Sequence, residues 1–197
     1  MIAIIDYNAG NIRSVTNALS RLGADWCLTA DPEIIKSASH VILPGVGHAG
    51  EAMKNLEATG LIPVIKGLRK PVLGICVGMQ ILCRHTMEGD KDCIGIFDAK
   101  IQKFQPGPES KVPHMGWNTI HNLESKLFKG IPGGSYAYFV HSYYAPLCPD
   151  TIATCRFGAE GMMFSAALKY ENFYGTQFHP EKSGDTGHHI LENFLRL

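Results

Sequence analysis

Cys76 stands between glycines in Gly74-Ile75-Cys76-Val77-Gly78, where the apolar run Pro71-Val72-Leu73 gives way to helical spacing through Met79, Gln80 and Leu82. A Gly-x-Cys-x-Gly frame is the cysteine form of a nucleophile elbow. Small flanking residues let the backbone turn sharply from strand to helix and leave one reactive side chain at the apex. If the helix starts just after Cys76, unpaired N–H groups and the positive end of the helix dipole point at the sulfur. The N–H of Val77 then becomes one donor of an oxyanion hole. The bland alternative is a structural cysteine packed as a small hydrophobe, and the flanking glycines and the residues downstream weigh against it.

A base and an orienting carboxylate follow near the end of the chain, in Gln177-Phe178-His179-Pro180-Glu181. In extended backbone, side chains two apart project to one side, and Pro180 biases His179 toward that geometry. His179 and Glu181 are therefore expected as a side-by-side pair, the carboxylate fixing the imidazole as the third member of a triad does. Cys76, His179 and Glu181 supply nucleophile, base and orienter. Taken alone, His179 would be a turn histidine and Glu181 a solvated charge; beside the elbow they gain a role.

Gly45-Val46-Gly47-His48-Ala49-Gly50 matches the dinucleotide-binding G-x-G-x-x-G and follows a strand. The acidic residue that such sites place about 20 positions on is missing. A Gly-rich loop at the carboxyl end of a central strand fits better, with the N–H groups of Val46 or Gly47 completing the oxyanion hole. Gln80, one helical turn past Cys76, could touch a substrate held at the sulfur. Glu88 could meet a substrate ammonium, although a solvated charge is the ordinary expectation for such a residue.

Positioning these groups requires alternating strands and helices. Ile2 to Asp6, Asp25 to Leu28, His40 to Leu43 and Val72 to Ile75 read as strands; helices are expected from Asn11 through Ile12, Val15, Leu19 and Leu22, after Asp31-Pro32, over Glu51 to Thr59 and over Ile62 to Leu68. Such alternation predicts an α/β fold, an open, mainly parallel twisted sheet with helices on both faces. Beyond Gly95 the texture turns to short β segments: Ala99 to Phe104, Trp117 to His121, Ala137 to His141, Thr151 to Phe157, Met163 to Lys169 and Phe173 to Thr176. These predict a mixed or antiparallel extension, closed by a helix from Gly184 to Leu197. The loop Gln105 to Ser110 is read as a surface connection inside a single domain over 1–197.

Lys plus Arg number 18 and Asp plus Glu 18, so no charge excess recruits nucleic acid or an anionic membrane. The 6 cysteines form no C-x-x-C pair or zinc-spaced cluster. Neither a metal nor a cofactor is expected. With no signal-like or membrane-length apolar run, the expected location is cytoplasmic, with reduced thiols.

Together, Pro44-Gly45-Val46-Gly47, Gly74-Ile75-Cys76-Val77-Gly78-Met79-Gln80 and Gln177-Phe178-His179-Pro180-Glu181 resemble the class I (triad) glutamine amidotransferases. Asp6 to Asn11, Pro113 to Asn118 and Tyr138 to Tyr143 are similar to the branch of that family serving histidine biosynthesis. The resemblance implies hydrolysis of glutamine at Cys76, His179 and Glu181, with the oxyanion facing Val46 or Gly47 and Val77. Gln80 and Glu88 would hold the amino-acid end of glutamine, helped by backbone near Ser142 and Tyr143. Ammonia would pass to a separate (β/α)8-barrel cyclase subunit, toward which Asn11, Trp117, Tyr138 and Lys182 would face. The alternatives are a glutaminase serving another synthase, a different cysteine hydrolase on a similar sheet, and a non-catalytic binding subunit.

Overall fold

The computed structural model describes residues 1–10, 12–107, 111–159 and 161–197. The first half alternates as its periodicity predicts: β1 (Ile2–Ile5), α1 (Arg13–Arg21), β2 (Trp26–Thr29), α2 (Pro32–Ser37), β3 (His40–Leu43), α3 (Ala49–Thr59), α4 (Ile62–Lys66) and β4 (Val72–Ile75). β1 and β4 are buried along their whole length and β3 beyond its first residue, as strands covered on both faces must be. α1 turns Val15, Ala18 and Leu19 inward. Asn11, expected to open that helix, lies outside the described residues. α2 starts where its sequence says it should, with Pro32 in the first turn and the Asp31 side chain accepting from the N–H groups of Glu33 and Ile34.

The second half runs α5 (Val77–Leu82), β5 (Cys83–Thr86), β6 (Lys91–Asp92), β7 (Phe97–Lys103), β8 (His114–Ile120), β9 (Ser135–His141), β10 (Tyr143–Tyr144), β11 (Thr151–Phe157), β12 (Met162–Tyr170), β13 (Phe173–Thr176) and α6 (Gly184–Leu195). The main sheet is 7-stranded, in the order β11-β12-β13-β4-β3-β1-β2. From β13 to β2 all neighbours are parallel, and β11 and β12 add an antiparallel extension. A 4-stranded sheet, β10-β7-β5-β6, and the antiparallel pair β8-β9 form separate ladders, the pair being tied to edge strand β11 by the bridge between His121 and Thr154. β5, β6 and β10 are not predicted from sequence. Cys83-Arg84-His85-Thr86 follows a helix directly, mixes polar and apolar residues, and becomes a strand only by pairing with β7 and β6.

The junction of β4 and α5 is packed backbone on backbone. A Cβ on Gly78 would run into the carbonyl of Leu43, and one on Gly74 would sit 2.7 Å from Gly78 O. Gly78→Ala is therefore expected to destabilise the protein by about 3 kcal/mol, roughly 10 °C in Tm, because backbone cannot step aside as a flexible side chain can. Gly133→Ala, whose Cβ would meet nothing within 4 Å, serves as the control in thermal melts. Equal melting of the two variants would refute this account of the junction.

Candidate active site

The abrupt change from β4 to α5 places Cys76 at an apex with φ 52° and ψ −107°, a conformation that L residues rarely hold. The turn is tied down on both sides: Cys76 N–H donates to Thr176 O at the end of β13 (2.7 Å), and Gln80 N–H donates to Cys76 O (3.1 Å). The side chain is 3% exposed and opens on a cavity of about 480 Å³. Its sulfur lies 3.9 Å from the carbonyl oxygen of Val140 and 3.7 Å from Nε2 of Gln177.

His179 lines the same cavity. Its Nδ1 is 2.7 Å from Glu181 Oε1, and both side chains are nearly sealed from solvent, at 2% and 4% exposure. The pair forms as expected, but by a different route. His179 itself is extended (φ −95°, ψ 97°), whereas Pro180–Lys182 is a turn of 3₁₀ helix that brings the carboxylate back to the ring. Proline at the start of a helical turn explains this as readily as an extended segment. Nε2 of His179 has no hydrogen-bond partner among the described residues. Burial opposes a charge on this ring, but the Cys76 sulfur and the Glu181 carboxylate beside it outweigh burial and push its pKa up to about 10.

The loop after β3 brings Val46 and Gly47 to the cavity, across from Val77. Its glycines serve packing rather than a phosphate: a Cβ on Gly45 would strike the backbone of Gly78 and Val77, Gly47 takes φ +85°, and a Cβ on Gly50 would lie 2.8 Å from Glu88 O. The loop is also held from behind, because the buried Tyr7 hydroxyl donates to Pro44 O. Burial, and secondarily the nearby Cys76 sulfur, raise the Tyr7 pKa and keep that donor protonated.

Gln80 is buried against the cavity, and its Nε2 donates to Tyr143 O (3.0 Å) and Gln177 Oε1 (3.1 Å). Both amide hydrogens are therefore spent inside the protein, and Oε1 is the atom left for a ligand. Ser142 and Tyr143 also line the cavity. Their carbonyls are engaged: Ser142 O accepts from Phe104 N–H, and Tyr143 O accepts from Gln80 and from Nδ1 of His141 at 2.7 Å. Glu88 is half-buried at the rim, with Oε2 accepting from Ala49 N–H at the start of α3 (2.6 Å). Among the described residues no group of three or more His, Cys, Asp or Glu is placed to hold a metal ion. Among the described residues, too, no helix is long and apolar enough to cross a membrane.

A sharp cysteine elbow, a histidine backed by a buried glutamate and a Gly-rich loop, meeting at one cavity, describe a nucleophilic acyl-transfer site. The family model described as glutamine amidotransferase class-I matches residues 3–197. The chain belongs to this family. It is a glutamine amidotransferase. A protein of Bacteroides thetaiotaomicron named imidazole glycerol phosphate synthase subunit HisH is 56% identical over 197 residues, covering 100% of this chain and 99% of that one. A HisH 2 protein of Legionella pneumophila is 46% identical over 198 residues, covering 100% of this chain and 98% of its own. The fold is shared more widely. The crystal structure of a putative GMP synthase component from Thermoplasma acidophilum superposes with a TM-score of 0.74 over 99% of this chain and 92% of that one, at 23% identity.

In this amidotransferase the remaining expected positions are dispersed on one surface. Trp117 on β8 is 55% exposed and pairs in register with Tyr138 on β9, their rings 5.9 Å apart edge to face. Met115 and Tyr136 are exposed on the same pair of strands. Lys182 is exposed and reaches the cavity rim. Asn11 lies outside the described residues. Backbone links this surface to the base: His179 N–H donates to Tyr138 O (2.9 Å), and Tyr138 N–H donates to Ser183 Oγ (2.9 Å). Sequence reasoning gave no role to Gln177, His141 or Tyr7. Only Gln177 carried a signal, its place two residues before His179.

Proposed function

We propose that this chain is the glutaminase subunit of imidazole glycerol phosphate synthase, acting in the cytoplasm as a single amidotransferase domain. It hydrolyses glutamine and delivers ammonia to a separate (β/α)8-barrel cyclase subunit. The observation that carries the reading is that Cys76, at its strained apex, and His179, its Nδ1 held by the buried Glu181, open on one cavity. The full-length similarity to HisH proteins supplies the pathway.

The proton order follows from the site. The Cys76 sulfur attacks Cδ of the glutamine side chain, its proton having passed to His179, whose raised pKa suits it to hold that proton. The C–S bond forms while the amide oxygen takes up charge facing the N–H groups of Val77 and of Val46 or Gly47. His179 then protonates the nitrogen, the C–N bond breaks, and ammonia leaves a glutamyl thioester. Water gives its proton to the same imidazole and attacks the thioester. Glutamate departs and the sulfur is restored. Glu181 holds the ring throughout and balances its charge. Gln80 Oε1 and the outer oxygen of Glu88 are the acceptors for the substrate ammonium. The exposed Trp117–Tyr138 surface, with Lys182, forms the docking face for the cyclase.

The test is glutamate release by the purified chain alone, with the cyclase subunit, and with the cyclase plus its ribonucleotide ligand. Strong stimulation in the full mixture is expected. Brisk hydrolysis indifferent to the cyclase would point to another ammonia-using synthase, and no hydrolysis in any mixture would refute the reading. In the same assay Val46→Pro, which lacks the N–H, is expected to lower kcat by about 10²–10³, the usual loss of one oxyanion donor. Undiminished stimulated activity would assign the second donor to Gly47.

A further inference from the structure

From the cavity wall, which His141 helps to line, a run of polar side chains that the mechanism above does not use leads inward. His114 on β8 and His141 at the end of β9 face each other, Nδ1 to Nε2, at 3.0 Å. Both are buried, packed among Phe104, Phe139, Phe157 and Phe164; the His114 ring lies stacked on Phe139 at 4.8 Å. Phenylalanine or leucine would fill such a box at least as well, and two imidazoles in an apolar shell must earn their place through direction.

Direction can be read from the end inward. Asn118 Oδ1 accepts from Thr119 N–H (2.8 Å) and its Nδ2 donates to Arg156 O (2.8 Å), which fixes the orientation of the amide. The other Nδ2 hydrogen then points at His114 Nε2 (3.1 Å), so that nitrogen is an acceptor. His114 therefore carries its proton on Nδ1 and donates to His141 Nε2. His141 in turn carries its proton on Nδ1 and donates to Tyr143 O (2.7 Å). The same carbonyl accepts from Gln80, Gln80 donates to Gln177, and Gln177 Nε2 reaches the Cys76 sulfur. Burial pushes the pKa of His114 down to about 4, and burial first, then the neighbouring His114, push that of His141 down to about 3; one proton per ring agrees with the geometry.

We infer that His114 and His141 are positioning residues: a directional relay that fixes the Tyr143 carbonyl and, through it, the Gln80 and Gln177 amides in the wall behind Cys76. The relay rests on the proposed glutaminase function for its kinetic effect and on geometry alone for its proton order. It also starts on the inner face of β8, the strand whose outer face carries exposed Met115 and Trp117.

Two readouts separate the relay from the function it serves. Long-range proton–nitrogen NMR of the histidine-labelled chain is expected to show both rings singly protonated, on Nδ1, across pH 5–8; a proton on Nε2 of either ring overturns the relay whether or not the chain hydrolyses glutamine. In the assembled enzyme, His141→Asn places an amide donor where Nδ1 stands, whereas His141→Gln carries it to the Nε2 side. Asn, which keeps the donor to Tyr143 O, is expected to lower glutamine kcat/KM less than Gln, which does not, and Gln and His114→Phe to lower it by about tenfold or more, the scale of a buried hydrogen bond left unmade. Ammonia-dependent product formation should be unmoved in all three. Equal losses in the Asn and Gln variants, or full activity in folded His141→Gln, would reduce the pair to packing. A parent enzyme without glutamine hydrolysis would refute the function and leave the NMR result to judge the relay.

Discussion

Cys76→Ala in the assembled enzyme is expected to abolish glutamine-dependent product formation, by about 10⁴-fold or more, while product formation from added ammonia continues at the parent rate. The substitution removes the only atom that forms a bond to substrate in the proposed mechanism and leaves the elbow's backbone contacts to Thr176 and Gln80 in place. Assembly should be unaffected, because the sulfur opens on the cavity and the exposed surface of β8 and β9 is elsewhere. Retained glutamine hydrolysis would remove Cys76 from the reaction. Loss of the ammonia-dependent rate as well would mean that the substitution had damaged the complex rather than the chemistry.

Glu181→Gln is expected to lower glutamine kcat by about 10³–10⁴-fold, the order found when a triad carboxylate becomes an amide and the imidazole loses its orienting charge. The same variant has a stability signature. An unperturbed histidine titrates near 6.5, and His179 is raised to about 10 in the folded chain. A raised histidine stabilises the folded state fully below its unfolded pKa, and that stabilisation drains away as pH rises toward the folded value. The parent should therefore lose stability between pH 6.5 and about 10 through this group. Removing the carboxylate weakens the raising effect, so the variant's Tm should fall less steeply across that window. An unchanged slope in melts taken from pH 6 to 10 would show that Glu181 does not hold the charged ring.

The chemistry of the site was more legible than its surroundings. Cys76 announced itself through glycines whose necessity is steric, since a Cβ at Gly74 or Gly78 meets backbone. The alternating first half follows from apolar runs buried on both faces, a pattern that local sequence carries by itself. β5, β6 and β10 were not legible, because strands of four or two residues such as Cys83–Thr86 and Tyr143–Tyr144 owe their form to partners distant in sequence. The His179–Glu181 pair was legible as a pair and not as a conformation: proline permits both extension and the first turn of a helix, and only tertiary packing chose. Gln80 lines the cavity, but its amide hydrogens are claimed by Tyr143 and Gln177, contacts that long-range folding creates. The His114–His141 contact joins two strands and left no trace in the spacing of either residue.

The hydrogen bonds from His179 N–H to Tyr138 O and from Tyr138 N–H to Ser183 Oγ put the strand under the exposed aromatic surface and the segment carrying the base into one backbone unit. Such a unit obeys reciprocity. Whatever factor partner association contributes to the affinity for glutamine, bound glutamine must contribute the same factor to the affinity for the partner. If association with the proposed cyclase raises the affinity for glutamine, the boundary between the two chains would in turn respond to nitrogen supply, tighter while amide is bound and looser once it is exhausted.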